Sequence, residues 1–199
     1  MQEKRRTEGA FDIGALIMAL LFVLSVAVFA LTSGDRLKHL FKPLYVFLRM
    51  ASIVGIIGIA AFFIGESIPR SLYDYRRFPF KCYKWERNGE IYVRLGVRWL
   101  KSHSIDMSSI MPKAFPKQNT MSRDKAHLER LVQEMCNAEL VHWILMFLSP
   151  VFWLLIEGWY GVAIAIGYAL SNLGDIMIQR YNRPRIVMII KRMEACESC

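Results

Sequence analysis

The segment YGVAIAIGYALSNLGDIMI at residues 160–178 runs without a break into Gln179-Arg180-Tyr181-Asn182-Arg183-Pro184-Arg185. The first part carries one formal charge, Asp175, and at about 1.5 Å per residue it matches a hydrocarbon core of about 30 Å. The heptapeptide that follows places three arginines where such a helix leaves the bilayer. A membrane anchor needs positive charge there by the positive-inside bias alone. It does not need Gln, Tyr, Asn and Pro in a set order, and planar guanidinium forks suit bidentate binding of an anion or polar headgroup.

Working outward, three more apolar runs appear at residues 13–32, 44–65 and 139–156. The chain of 199 residues is 54% hydrophobic, above the 45–50% of ordinary soluble domains, and its mean hydropathy is +0.27. The 26 Lys and Arg and the net charge of +9 lie mostly between the runs, the layout of a membrane protein rather than of a nucleic-acid binder. The fold expected is therefore an all-α integral membrane protein with four transmembrane helices in a single membrane domain, 1–199. Lys4-Arg5-Arg6 ahead of a run longer than a signal-peptide core reads as an uncleaved anchor. Arg49, near the start of the second run, is placed to snorkel to the interface. The connection 66–137 and the tail 179–199 are densely basic, and the turn between the last two runs has no Lys or Arg. These counts outvote Arg36, Lys38 and Lys42 in the first loop, and they put both termini and the long loop in the cytoplasm of a multi-pass cell-membrane protein. On that side Cys82, Cys136, Cys196 and Cys199 are expected as thiols.

The long loop is aromatic and basic together. From Tyr73 to Trp85 the rings mostly alternate with cations, which suits an extended strand or an interfacial segment against lipid headgroups. Asn88-Gly89 reads as a tight turn between Trp85-Glu86 and Ile91-Tyr92-Val93. Ser122 is a candidate cap for a helix whose Leu128, Leu131, Val132 and Met135 share one face and which continues into the third span.

That span begins Asn137-Ala138-Glu139-Leu140-Val141-His142-Trp143. Glu139 and His142 lie on one helix face, and ionisable groups in a membrane helix are functional candidates by default. Three readings stand side by side: Glu139 orienting His142 as a general base, half of a di-metal Glu-x-x-His site, or an interface marker. A second Glu-x-x-His is missing, and Cys196-Glu197-Ser198-Cys199 has no partner pair or histidine at zinc spacing, so no metal is expected. Asn172 and Asp175 in the fourth span are the other intramembrane polar groups. They suit either a polar pocket shared with His142 or a helix–helix hydrogen bond. The chain lacks a G-x-S-x-G elbow, a Walker A loop and G-x-G-x-x-G. Neither His103 nor His127 is followed by Asp at His-x4-Asp spacing.

The stretch Ala138-Glu139-Leu140-Val141-His142-Trp143, a span, and then Ile178 to Arg185 resembles the glycosyl-4,4'-diaponeurosporenoate acyltransferase family, which shows Ala-Glu-Leu-Ile-His-Trp followed by Gln-Arg-Tyr-Asn-Arg-Pro-Arg. Ser67-Ile68-Pro69 and Lys84 to Tyr92 resemble its upstream pattern. The resemblance implies a membrane enzyme esterifying a sugar hydroxyl of a carotenoid glycoside with a fatty acid. It carries over to Glu139, His142, Gln179, Arg180, Tyr181, Asn182, Arg183 and Arg185. On this reading His142 is the base and Glu139 its orienting partner. Arg180, Arg183 and Arg185 hold the phosphates of an acyl carrier, or one of them joins Asn172 or Asn182 at the oxyanion. The co-substrates expected are a lipid-linked sugar acceptor and a fatty-acyl donor such as an acyl-CoA. Membrane lipid is the surrounding partner; no cofactor and no nucleic acid is expected. The competing reading is a non-enzymatic four-helix membrane module in which the arginines bind anionic lipid or the helices bind a protein partner.

Overall fold

The computed structural model describes residues 2–34, 41–103 and 125–197. Among them every regular element is helical: α1 Gln2–Leu31, α2 Lys42–Ser67, 3-10 turns at Arg70–Leu72 and Lys84–Gly89, α3 Glu90–Arg94, α4 Val97–His103, α5 Lys125–Leu148, α6 Pro150–Leu155 and α7 Trp159–Glu197. Three segments are long and apolar enough to cross a membrane, Lys42–Ser67, Lys125–Leu155 and Trp159–Cys196; of α1 the shorter apolar stretch Leu16–Leu31 is described. Leu20, Val23 and Leu24 on α1, Phe147 on α5, and Ile166 and Leu170 on α7 point outward. Large apolar side chains turned out in such numbers fit a chain whose solvent is lipid.

The chain divides into two compact units, one of residues 1–63 with 145–169, the other of residues 64–144 with 170–199. In the first, Ile53, Phe152 and Ile156 are enclosed by Phe29, Met50 and Tyr168, with the Phe152 and Tyr168 rings edge to face at 4.9 Å. Gly55 lets α2 close on α1, since a Cβ there would sit 2.1 Å from Ser25 Oγ; small residues serve this purpose in membrane bundles. Arg49, read as an interfacial cation, is met by protein groups. It is buried, stacks 3.9 Å over the Phe29 ring, and donates to Phe29 O at 3.1 Å and Ser33 Oγ at 2.9 Å. Phe29 O, in the last turn of α1, takes side-chain donors from Thr32 and Ser33 as well as Arg49, and a cation there also suits the negative end of the helix dipole.

The second unit holds Glu139, His142 and the arginine motif. The expected amphipathic face of α5 is present: Leu128, Leu131, Val132 and Met135 form a core with Ile186 and Ile190 of α7. Ser122 lies outside the described residues. The stretch 73–85 is not an extended strand. Tyr73 and Phe80 both turn inward onto Cys136 and Leu140, with their rings 5.9 Å apart, while Phe78 and Trp85 point out. Burying two rings seven positions apart on the same side breaks the alternation that a strand requires.

The turn at Asn88-Gly89 forms, but its flanks are helical. Arg87, Asn88 and Gly89 take positive φ values of 46°, 54° and 90°. A Cβ on Gly89 would lie 3.2 Å from Tyr181 Cα and 3.3 Å from Arg180 O. Pro184 has no N–H for the carbonyl of Arg180 four residues earlier, so the glycine packs where α7 has lost a helical hydrogen bond. The fourth apolar run, read as a span over residues 160–178, is part of a longer helix. α7 continues through the arginine motif and Pro184 to Glu197, because the arginine charges are met by carboxylates from elsewhere in the chain.

Candidate functional site

The arginine motif is turned inward. Arg180 donates from Nε to Glu139 Oε1 at 2.7 Å, from Nη1 to Glu86 Oε1, and from Nη2 to Pro79 O at 2.6 Å. Arg183 donates from Nη1 to Glu139 Oε2 and from Nη2 to Phe80 O. Glu139 is 0% exposed and Glu86 1%. Two carboxylates and two guanidiniums therefore cancel in a closed, hydrogen-bonded group. Isolated buried charges would be ruinous, and pairing with full hydrogen bonding is what makes them tolerable. The network fixes α7 against α5 and ties both to the loop through Glu86, Pro79 and Phe80.

Glu86 has no assigned role in the sequence reading, yet it is central. It accepts from the Tyr92 hydroxyl at 2.7 Å and the Tyr83 amide at 2.8 Å as well as from Arg180. Burial pushes its carboxyl up, but these donors outweigh burial and hold it below the ordinary carboxylate range. The same carboxylate, after burial, raises the Tyr92 phenol, and the Cys82 thiol is pushed up to about 11 by burial and then by Glu86. A second polar knot joins the end of α2 to α5. Arg70 pairs with Glu66 and, at 3.0 Å, with Glu134, and the Tyr73 hydroxyl lies 3.0 Å from both Gly65 O and Asn137 Oδ1. Burial pulls the Arg70 guanidinium down, but the two carboxylates prevail and raise it.

His142 sits one turn along α5 from this network. The pairing expected from sequence, Glu139 on His142, is not the one the side chains make. Glu139 faces Arg180, Arg183 and the Trp143 indole. The ring is met from α7 instead: Nδ1 lies 3.0 Å from Asn172 Oδ1 and 3.7 Å from Asp175 Oδ2. Asn172, Asp175 and His142 thus come together, an arrangement common to the polar pocket and the helix–helix hydrogen bond read from the sequence. Both atoms facing Nδ1 are acceptors, so they favour the tautomer with its proton on Nδ1, which leaves the Nε2 lone pair for other work. His142 and Asp175 side chains are 26% and 33% exposed, so the ring is reachable while Asn172 is buried.

The remaining motif residues separate by exposure. Arg185 is exposed, with its guanidinium 3.6 Å over the Tyr181 ring, and Tyr181 is buried beside Tyr92 and Val97. Asn182 accepts from Lys101 Nζ at 3.2 Å. Gln179 is buried, and its Oε1 has no hydrogen-bond partner. Among the described residues no group of three or more His, Cys, Asp and Glu is placed to hold a metal. Of the sequence-predicted set, the fold joins His142 with Asn172, and Glu139 with Arg180 and Arg183, as two adjacent clusters. Asp175 and Glu86 complete them.

Residues 69–192 match the sequence profile of glycosyl-4,4'-diaponeurosporenoate acyltransferase, a range that contains both clusters. Proteins of that name from Staphylococcus aureus strains bovine RF122 / ET3-1 and N315 are each 28% identical over 131 residues, covering 64% of this chain and 78% of theirs. No solved structure matches the chain. With the match spanning more than half of its length, the chain belongs to the glycosyl-4,4'-diaponeurosporenoate acyltransferase family.

Proposed function

We propose that this protein is a membrane O-acyltransferase that esterifies a sugar hydroxyl of a glycosylated lipid, of the carotenoid glycoside kind its relatives are named for, with a fatty acyl group. The observation that carries the reading is the Asn172–His142–Asp175 arrangement, which orients one imidazole and leaves its Nε2 lone pair open. Nε2 takes the proton of the sugar hydroxyl, and that oxygen bonds to the acyl carbonyl carbon. The bond from this carbon to the donor's sulfur or oxygen breaks, and the imidazolium returns the proton to the leaving group. Asp175 stabilises the imidazolium while it exists, as carboxylate–imidazole pairs do elsewhere. Glu139, Arg180 and Arg183 act at one remove: their network holds the α5–α7 register that sets His142 opposite Asn172. Arg185 and Lys101, exposed beside Tyr181 and Asn182, are the cations open to an anionic acyl carrier. The lipid-facing helices accommodate the acyl and terpenoid chains, and α1 joins the three long segments as a fourth span with both termini cytoplasmic.

The test is acyl transfer by purified protein in detergent or lipid with a glycoside acceptor and an acyl-CoA. His142→Ala is expected to lower kcat by about 10²–10⁴-fold, and Asp175→Asn to lower it less, with folding intact in both. Wild-type turnover in His142→Ala overturns the base assignment.

A further inference from the structure

Gln179 lies on the stripe of α7 that faces α5, one turn after Asp175 and one turn before Arg183. The pairings His142–Asn172 and Glu139–Arg183 run in opposite directions along the two helices, so Gln179 falls between the imidazole and the buried ion network. Asn172, Asp175 and Arg183 on that stripe all have partners. Gln179 does not: it is 8% exposed, and its Oε1 is enclosed without a hydrogen-bond partner.

A buried amide oxygen is an acceptor that must otherwise go unsatisfied at a cost in free energy. Its missing partner is therefore a donor. An acyl chain has none. A phosphate or carboxylate offers acceptor oxygens that would repel it. A hydroxyl-bearing ring fits, and the amide nitrogen beside Oε1 can donate to a neighbouring ring oxygen. Along α7, four residues of helix, about 6 Å of axial rise, separate Gln179 from Asp175, the residue that faces His142.

We propose that Gln179 is the specificity-determining contact for the acceptor sugar, with Oε1 accepting from a second hydroxyl of the ring whose reacting hydroxyl lies at His142 Nε2. This rests on the His142-centred transfer proposed above. His142 of α5 and Gln179 of α7 then meet two positions of one sugar, with Asp175 holding the imidazole from behind.

The experiment uses the full chain and a series of acceptor glycosides, each lacking a single sugar hydroxyl. With the wild type, one monodeoxy acceptor other than the one lacking the reacting hydroxyl is expected to lose about 5- to 150-fold in kcat/KM, the worth of one buried hydrogen bond. Gln179→Met is expected to lose a similar factor on the complete glycoside, to keep the KM for acyl donor, and to lose nothing further on that one analogue. The wild-type series stands even where the variant fails to fold. Equal kcat/KM for every non-reacting monodeoxy acceptor overturns the contact. So does a Gln179→Met enzyme that retains wild-type kcat/KM, or one that still discriminates against the same analogue by the same factor. Any of these with His142→Ala inactive leaves the base assignment intact; active His142→Ala removes the reading on which the contact rests.

Discussion

Glu139→Gln tests the buried ion network, because Glu139 is the carboxylate that Arg180 and Arg183 share. After the change Arg180 keeps Glu86 and Pro79 O. Arg183 keeps only the Phe80 carbonyl and a long contact to Cys136 Sγ at 3.7 Å. A guanidinium 2% exposed is then left without a counter-charge, and an amide hydrogen of the new Gln points toward one of the two donors. Breaking a buried pair from one side costs about 3–5 kcal/mol. For a chain of this size that is a fall of roughly 6–20 °C in Tm, at about 2–4 °C per kcal/mol. Tryptophan fluorescence of the detergent-solubilised protein during heating reads the change. Glu139→Leu with Arg183→Leu removes both charges and is expected to cost less than the two single changes added together. A fall below about 2 °C for Glu139→Gln, less than about 1 kcal/mol, refutes the reasoning, as does strict additivity in the double variant.

Two further outcomes follow from the loop. Gly89→Ala combines a φ of +90° with a Cβ 3.2 Å from the Tyr181 backbone, and is expected to destabilise by about 1–3 kcal/mol; a Tm equal to wild type contradicts the packing described. Glu86 has a folded-state pKa below its ordinary 4.5, so its ionised form stabilises the fold above that value, and the contribution is lost as pH falls through the lowered pKa. The Tm gap between wild type and Glu86→Gln is therefore expected to be widest above the ordinary value of 4.5 and to narrow as pH falls below it, whereas a gap independent of pH removes Glu86 from the account.

Local sequence made some of this legible. Leu128, Leu131, Val132 and Met135 recur at helical spacing, and that periodicity survives in the fold because one continuous face of α5 meets Ile186 and Ile190. Asn88-Gly89 announced its turn because few other residues tolerate positive φ. Failure came where the partner is remote. Arg180 and Arg183 read as exit charges or as phosphate-binding cations, since their carboxylate partners are far off in sequence: Glu86 and Glu139, 94 and 41 positions before Arg180. Glu139 read as the partner of His142 because they are three apart on one helix. Spacing places two residues on a face but does not choose between them and a stronger donor arriving from another helix. Asp175 takes that place at His142 because the ion network holds Glu139 to the arginines.

The most direct test of acyl transfer is mass spectrometry of lipid extracts from a host lacking this gene and complemented with wild type or His142→Ala. A glycolipid that loses one fatty-acyl mass in the deletion, regained with wild type and not with the folded His142→Ala protein, is the predicted result. An unchanged lipid profile, or equal restoration by His142→Ala, contradicts it.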